Sequence, residues 1–193
     1  SANQNSSSPK LRFQGYNQTN GPFIQAINES AYGLKRLGFF ASRTASDYTT
    51  TPTESISILN TGLVGIGTDS PSAKLEIADS ASAKIRLSTT DTSLDESQEL
   101  GALEYYQADN SGTAGAGVKS SIRAIADNST ASHTALTFGT SDSSNNDKLR
   151  LKISGEGDVE IKTDGKGLIL NSADGTAYKI TVANDGTVTS TAV

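Results

Sequence analysis

The chain has 193 residues and a mass of 20.0 kDa, with 16 Lys and Arg against 21 Asp and Glu, a net charge of −5, one His, and no Cys, Met or Trp. Those absences exclude disulfides, thiolate chemistry, cysteine-based zinc or iron–sulfur sites and a multi-histidine metal centre. The acidic balance without a dense basic run speaks against nucleic acid and anionic membrane as partners, and no stretch approaches the roughly 18 apolar residues of a membrane span. Leu, Ile, Val and Phe together number 39, whereas Ser and Thr number 49 and Gly 18, so one chain is short of material for a globular core. The expected solution is an elongated all-β structure whose thin core is completed by copies of itself.

In chain order, residues 1–9 form a polar arm without the charged and apolar regions of a signal peptide. The chain reads as a soluble one, or as a processed or recombinant one since it begins at Ser1 without Met, and the arm either docks by ordering on a partner or stays a disordered tail. Residues 10–68 read as a first β module, 69–83 as a connector strand, 84–163 as a second β module and 164–193 as a C-terminal β-hairpin cap. One pattern recurs three times: Ile56-Ser-Ile58 with Gly62 and Val64, Leu151-Lys-Ile153 with Gly157 and Val159, and Ile180-Thr-Val182 with Gly186 and Val188. The glycine lies four residues after the second apolar position, and period-two alternation on both sides makes each copy a β-hairpin, Gly supplying the positive φ of the turn. Upstream, Lys10-Leu-Arg-Phe13 parallels Lys84-Ile-Arg-Leu87, Phe23 to Ile27 parallels Ser121 to Ile125, and Leu37 to Ser42 parallels Leu136 to Ser141. In the cap, Asp174-Gly175 reads as a two-residue turn. Ser93 followed by Glu96 is the best helix signal, a capping-box spacing that soon gives way to the alternation of Leu103 and Tyr105.

The inward positions expected of a shared core are Phe13, Ile24, Ile27, Phe39, Ile58, Val64, Ile66, Leu75 and Ile77 in the first half, with Ile85, Ile122, Ile125, Phe138, Ile153, Val159, Ile161, Ile180, Val182 and Val188 in the rest. Strand parity turns one member of each adjacent aromatic pair outward, which makes Phe40 and Tyr106 candidate receptor contacts. Arg12, Lys74, Lys84 and Arg86 recur around matching strands, either as solvated charges or as partners for a neighbouring chain's carboxylates that fix strand register. Against these stand weaker catalytic and ligand readings. His133 with an Asp and a Ser is unavoidable in so serine-rich a chain, the carboxylate pairs Glu99 with Glu104 and Asp95 with Glu96 would suit glycan cleavage, and the oxygen-rich run Ser141 to Asp147 would suit calcium but lacks EF-hand spacing. The glycine-rich stretches fail the phosphate-loop and dinucleotide patterns. No catalytic, metal or cofactor-binding residue is assigned, and no cofactor is expected.

The run Gly62-Leu-Val-Gly-Ile-Gly-Thr-Asp-Ser-Pro-Ser-Ala-Lys-Leu-Glu-Ile77 resembles a segment that recurs in tail-fibre and other virion fibre proteins of bacteriophages. Leu11 to Phe13, Gly21 to Ala26, Leu37 to Phe40, Leu100 to Glu104, Ser121 to Ala124 and Leu136 to Gly139 resemble the blocks between such segments, and Gly167 to Val182 is similar to the closing segment of some of these proteins. The resemblance implies an all-β, elongated, intertwined homotrimeric fibre of repeated β-hairpin modules, β-prism-like or β-helix-like, with little or no helix. It implies a non-enzymatic structural or adhesive role on the virion, as a tail or surface fibre presenting a tip to the host. The partners it implies are the chain itself, other virion proteins docked through residues 1–9 and a host-surface receptor or glycan. A capsid-bound or neck-bound decoration and a glycan-processing spike are the alternatives. Residues 157–163 depart from the motif, lacking glycines at the positions of Gly65 and Gly67 and the following Ser-Pro, so a local change of packing is expected there. Nothing resembles the autoproteolytic C-terminal chaperone domain of some long fibres, which leaves trimerisation intrinsic or assisted by another protein.

Overall fold

The computed structural model describes residues 9–13, 21–30, 33–41, 53–111, 115–142 and 147–193. Most of the N-terminal arm (residues 1–8) and the centre of the candidate calcium loop (residues 143–146) lie outside them. The described residues are all-β, with fourteen strands and no helix. Two compact units divide the chain, residues 1–85 and 86–193.

The first unit is a six-stranded sheet in sequence order: β1 (Lys10–Arg12), β2 (Phe23–Ser30), β3 (Gly33–Ala41), β4 (Thr53–Leu59), β5 (Val64–Ile66) and β6 (Leu75–Ile77). The second unit holds a five-stranded sheet of β7 (Glu99–Gln107), β8 (Gly117–Ala126), β9 (Thr134–Ser141), β10 (Asp147–Ile153) and β11 (Val159–Ile161). It also holds a three-stranded sheet of β12 (Leu168–Asn171), β13 (Ala177–Val182) and β14 (Val188–Ala192). All neighbours are antiparallel except β5 and β6, which are parallel.

The repeat seen in the sequence is a repeat of register. In the first sheet one row runs Leu11, Ile24, Phe39, Ile56, Ile66, Ile77; in the second the matching row runs Leu103, Ile122, Phe138, Leu151, Ile161. Beside them lie Ala26, Leu37, Ile58, Val64, Leu75 and Ala124, Leu136, Ile153, Val159. Because successive side chains alternate, both rows fall on one face of each sheet, and most of the strands' Ser, Gly and charged residues fall on the other. The register places Lys10 to Arg12 opposite the same residues of β2 as Ala102 to Glu104 oppose in β8. The structural counterpart of β1 is therefore β7, and not Lys84 to Leu87 as the sequence match suggested.

Every recurrent hairpin closes in one way. Gly62 donates its N–H to Leu59 O, Gly157 to Ser154 O and Gly186 to Ala183 O, each at 2.9 to 3.0 Å, while Leu59, Ser154 and Ala183 donate to the carbonyls of Leu63, Asp158 and Thr187. The glycines have φ of 76°, 97° and 84°. This is a three-residue loop ending in a left-handed residue, where Gly avoids the Cβ penalty. The cap repeats it, Gly175 (φ 87°) donating to Ser172 O, so the Asp-Gly turn there has three loop residues rather than two. The capping-box segment forms only a turn, in which Gln98 donates to Asp95 O; Gly101 and the strand alternation follow too soon for a helix to propagate.

Candidate functional site

Few of the apolar side chains among the described residues are fully covered. Among the described residues the buried hydrophobic side chains are Phe23, Ala126 and Ala135, and none of the nineteen expected core positions is buried. Ile24, Phe39, Val64, Ile77, Ile122, Phe138 and Ile180 are half-buried, whereas Phe13, Ile58, Ile66, Leu75, Ile85, Ile153, Val159, Ile161, Val182 and Val188 are exposed. Ile27 and Ile125 are half-buried but lie three residues from Ile24 and Ile122, which puts them on the opposite face, Ile27 across from Arg36 and Ile125 across from Glu99. They depart from the expected set because an odd spacing on a strand reverses the side.

In each sheet the apolar face is thus left largely uncovered. Six strands spaced about 4.8 Å apart carry its main row roughly 24 Å across the first sheet. The third sheet behaves likewise, with Leu168, Leu170, Tyr178, Val182 and Val188 exposed along one side. Phe39 lies on this face. Phe40 lies on the other, stacked on buried Phe23 with centroids 4.3 Å apart, and Lys10 and Arg12 sit over the Phe23 ring at 5.0 and 5.1 Å. Phe40 is therefore part of a small aromatic cluster, while Tyr106 is 66% exposed at the edge of β7.

The opposite face carries ion-pair clusters made within the chain, and these the sequence reading missed. In the first sheet a bulge between Phe39 and Phe40 brings Glu54 opposite Phe40, onto the same face as Arg36 and Ser57. Arg36 grips Glu54 in a fork, Nε to Oε1 at 3.0 Å and Nη2 to Oε2 at 3.0 Å, while Ser57 Oγ donates to Glu54 Oε1 at 2.6 Å. That fork, with Asp69 adding its charge at 3.3 Å, raises the guanidinium above its ordinary range against the opposing effect of burial.

In the second sheet the equivalent bulge, between Leu149 and Leu151, brings Asp147 opposite Ser141 on the face of Ser121 and Arg123. Asp147 accepts from Ser121 Oγ and pairs with Arg123 Nη2 at 2.7 Å. Arg123 also meets Glu99 at 3.2 Å and Glu104 at 3.4 Å. Each cluster closes over a glycine: a Cβ on Gly38 would stand 2.8 Å from Glu54 Oε1, and one on Gly139 would stand 2.2 Å from Asp147 Oδ1. The available signals were Ser57 between two Ile in the first sheet, and in both sheets a Gly in the neighbouring strand, Gly38 and Gly139.

Glu99 and Glu104 are both engaged with Arg123. His133 faces Glu156 at 3.9 Å and packs on Gly155, where an added Cβ would meet His133 Cβ at 2.6 Å. Nearby, Asp127 is held below the usual carboxylate range by Lys152 first and then by the Gly155 N–H at 2.8 Å, and Lys152 is raised by the same pair. Among the described residues no group of three or more His, Asp or Glu is arranged to hold a metal ion.

The Gly62 to Ile77 motif has a local cause in this geometry. After β5 the chain folds back under its own sheet and returns as β6, so Gly65 is covered by the Thr68 carbonyl, 2.3 Å from where a Cβ would stand, and by Pro71. Gly67 has φ 77°, and a Cβ there would stand 2.0 Å from Ala78 O. Glu76 accepts from the Ser72 amide at 2.7 Å and its hydroxyl at 2.8 Å, which lowers its carboxyl and ties the loop. No family model matches the chain, and no curated protein matches it.

Proposed function

We propose that this chain is a structural virion fibre protein of a bacteriophage, which works as an elongated homotrimer and presents a tip for host-surface attachment. The observation that carries the reading is the asymmetry of the two five-strand meanders: one face holds ion pairs made within the chain, Arg36 with Glu54 and Arg123 with Asp147, and the other leaves its apolar rows open. Monomeric soluble proteins rarely expose an apolar patch beyond a few hundred Å². Three copies that turn these faces toward one axis cover them at once, and a cyclic closed assembly is the ordinary way for a repeated surface to be satisfied.

The resemblance of Gly62 to Ile77 to virion fibre segments supplies the biological setting. The mechanism is mechanical and multivalent: a shared core stiffens the shaft, and three weak surface sites act together through effective concentration. Light scattering coupled to size exclusion, with sedimentation for shape, tests it. A mass of three chains of 20.0 kDa, about 60 kDa, with elongated hydrodynamics is expected. A compact 20 kDa monomer overturns it.

A further inference from the structure

From Ser82 to Asp91 the chain runs without a turn or bend. Every residue from Ala83 to Ser88 is exposed, Ile85 at 66% and Leu87 at 52%. No backbone N–H or C=O of residues 83–88 is hydrogen-bonded to any described residue. Yet the segment is patterned as a strand, with Ile85 and Leu87 on one side and Lys84, Arg86 and Ser88 on the other. Backbone groups of a patterned strand are ordinarily paired.

We infer that residues 83–88 are an exchanged strand that adds to the free edge of β7 in a second copy of this chain. The inference rests on the reading that the chain assembles with itself. Three observations single out that edge. Among the described strands at sheet edges, β7 is the longest, nine residues against three to five for β1, β6, β11, β12 and β14, and a long open edge is what a protein must cover. Its apolar side exposes Leu103 and Tyr105, which match Ile85 and Leu87. Its other side carries Glu99 and Glu104, which with Asp147 share the single guanidinium of Arg123, and the incoming Lys84 and Arg86 supply the two missing positive charges. The chain's own segment does not take the place, because Leu87 lies over the face of β7, its Cβ 2.9 Å from where a Cβ on Gly101 would stand.

The test combines hydrogen exchange of the peptide covering residues 83–92 with the mass of the same sample, using the full chain. In the assembly, exchange at residues 84–88 is expected to be slowed at least about tenfold relative to an unstructured peptide. An assembly of the expected mass in which these amides exchange freely overturns the exchanged strand and leaves the fibre reading standing, while a 20 kDa monomer overturns both. To show that the partner is another chain's β7, Ser88→Cys and Ala102→Cys chains are mixed and treated with a short bis-maleimide, there being no native cysteine. A covalent dimer that forms only in the mixture supports the assignment; protection without that dimer overturns it.

Discussion

The first and second sheets are built to one plan, with five antiparallel strands in the same order, the same hairpin turn and a bulge at the same step, and beyond the length of the first strand they differ most after the fifth. In β5 the sequence is Val64-Gly-Ile-Gly-Thr68 and a parallel sixth strand follows; in β11 it is Val159-Glu-Ile-Lys-Thr163 and the sheet ends. The expected local change of packing is located here. Gly65 is opposite Ser57, and together they leave a trough into which the loop after β5 folds. Their counterparts are Glu160 and Lys152, 3.8 Å apart, with Lys162 pairing Glu160 at 2.7 Å where Gly67 would be.

The sharpest way to break that difference is Gly67→Ala. It combines a positive φ with a Cβ only 2.0 Å from the Ala78 carbonyl, and backbone cannot yield as a flexible side chain does. A loss of about 3 kcal/mol is expected, read as a lowered urea midpoint. Lys162→Ala, at the matching position of the second sheet, is expected to change stability by no more than about 0.5 kcal/mol. Equal effects at the two positions would remove the glycine explanation.

The ion-pair faces offer the next test. Arg123→Ala leaves Asp147, whose side chain is 6% exposed, with Ser121 alone, and a cost of about 3 kcal/mol is expected. Asp147→Asn in the same chain should recover about half of it, because the stranded charge is gone. Arg36→Ala is expected to cost about 2 kcal/mol, since Glu54 keeps its Ser57 bond. A double variant no better than Arg123→Ala would show that Arg123 acts by packing and not by charge.

Strand alternation and turn chemistry were legible in the sequence because they are local: the Ile56-Ser-Ile58 spacing names the apolar face, and the glycine four residues on names the turn. The matching of Phe39 with Phe138 was legible for the same reason. What escaped depends on pairing between strands. Bulges at Phe39/Phe40 and at Leu149/Leu151 move Glu54 and Asp147 to the other face, and no periodicity within one strand reports that. Ile27 and Ile125 were misplaced by ignoring parity within β2 and β8. The match of Lys84 to Leu87 with β1 reflects similar alternation, whereas the neighbour of β8 is chosen by β7, which offers nine residues of edge. The ion-pair clusters were invisible as sites because Arg36 and Glu54 are 18 residues apart.

The shared turn gives a smaller comparison. Gly62 and Gly157 both have positive φ, and an added Cβ would meet only the end of the Lys74 side chain at 3.6 Å in the first case and nothing within 4 Å in the second. Substitution by Ala at either should cost about 1 kcal/mol, set by the backbone alone. Similar urea midpoints for the two variants would confirm that the hairpins are interchangeable even though the strands that follow them are not.

The cap shows how the same turn acquires a pH dependence. In the third sheet Asp174 accepts from Ser172 Oγ and from the Thr176 amide at 2.9 Å, and these bonds, the Ser172 hydroxyl first, hold its carboxyl at about 2. At the corresponding turn of the second sheet the Asp158 amide is capped by Ser154 Oγ, which does not titrate. A carboxyl depressed by folding contributes stability that is complete above its unfolded value near 3.8 and is lost as pH falls through its folded value. Amide exchange at Thr176 should therefore accelerate, relative to Asp158, between pH 3.8 and about 2. Asp174→Asn should erase the pH step at Thr176 and leave Asp158 unaffected. A step that survives the substitution would place its origin elsewhere, with Asp185, which accepts from Thr187 at 2.9 Å in the next hairpin, as the group to replace second.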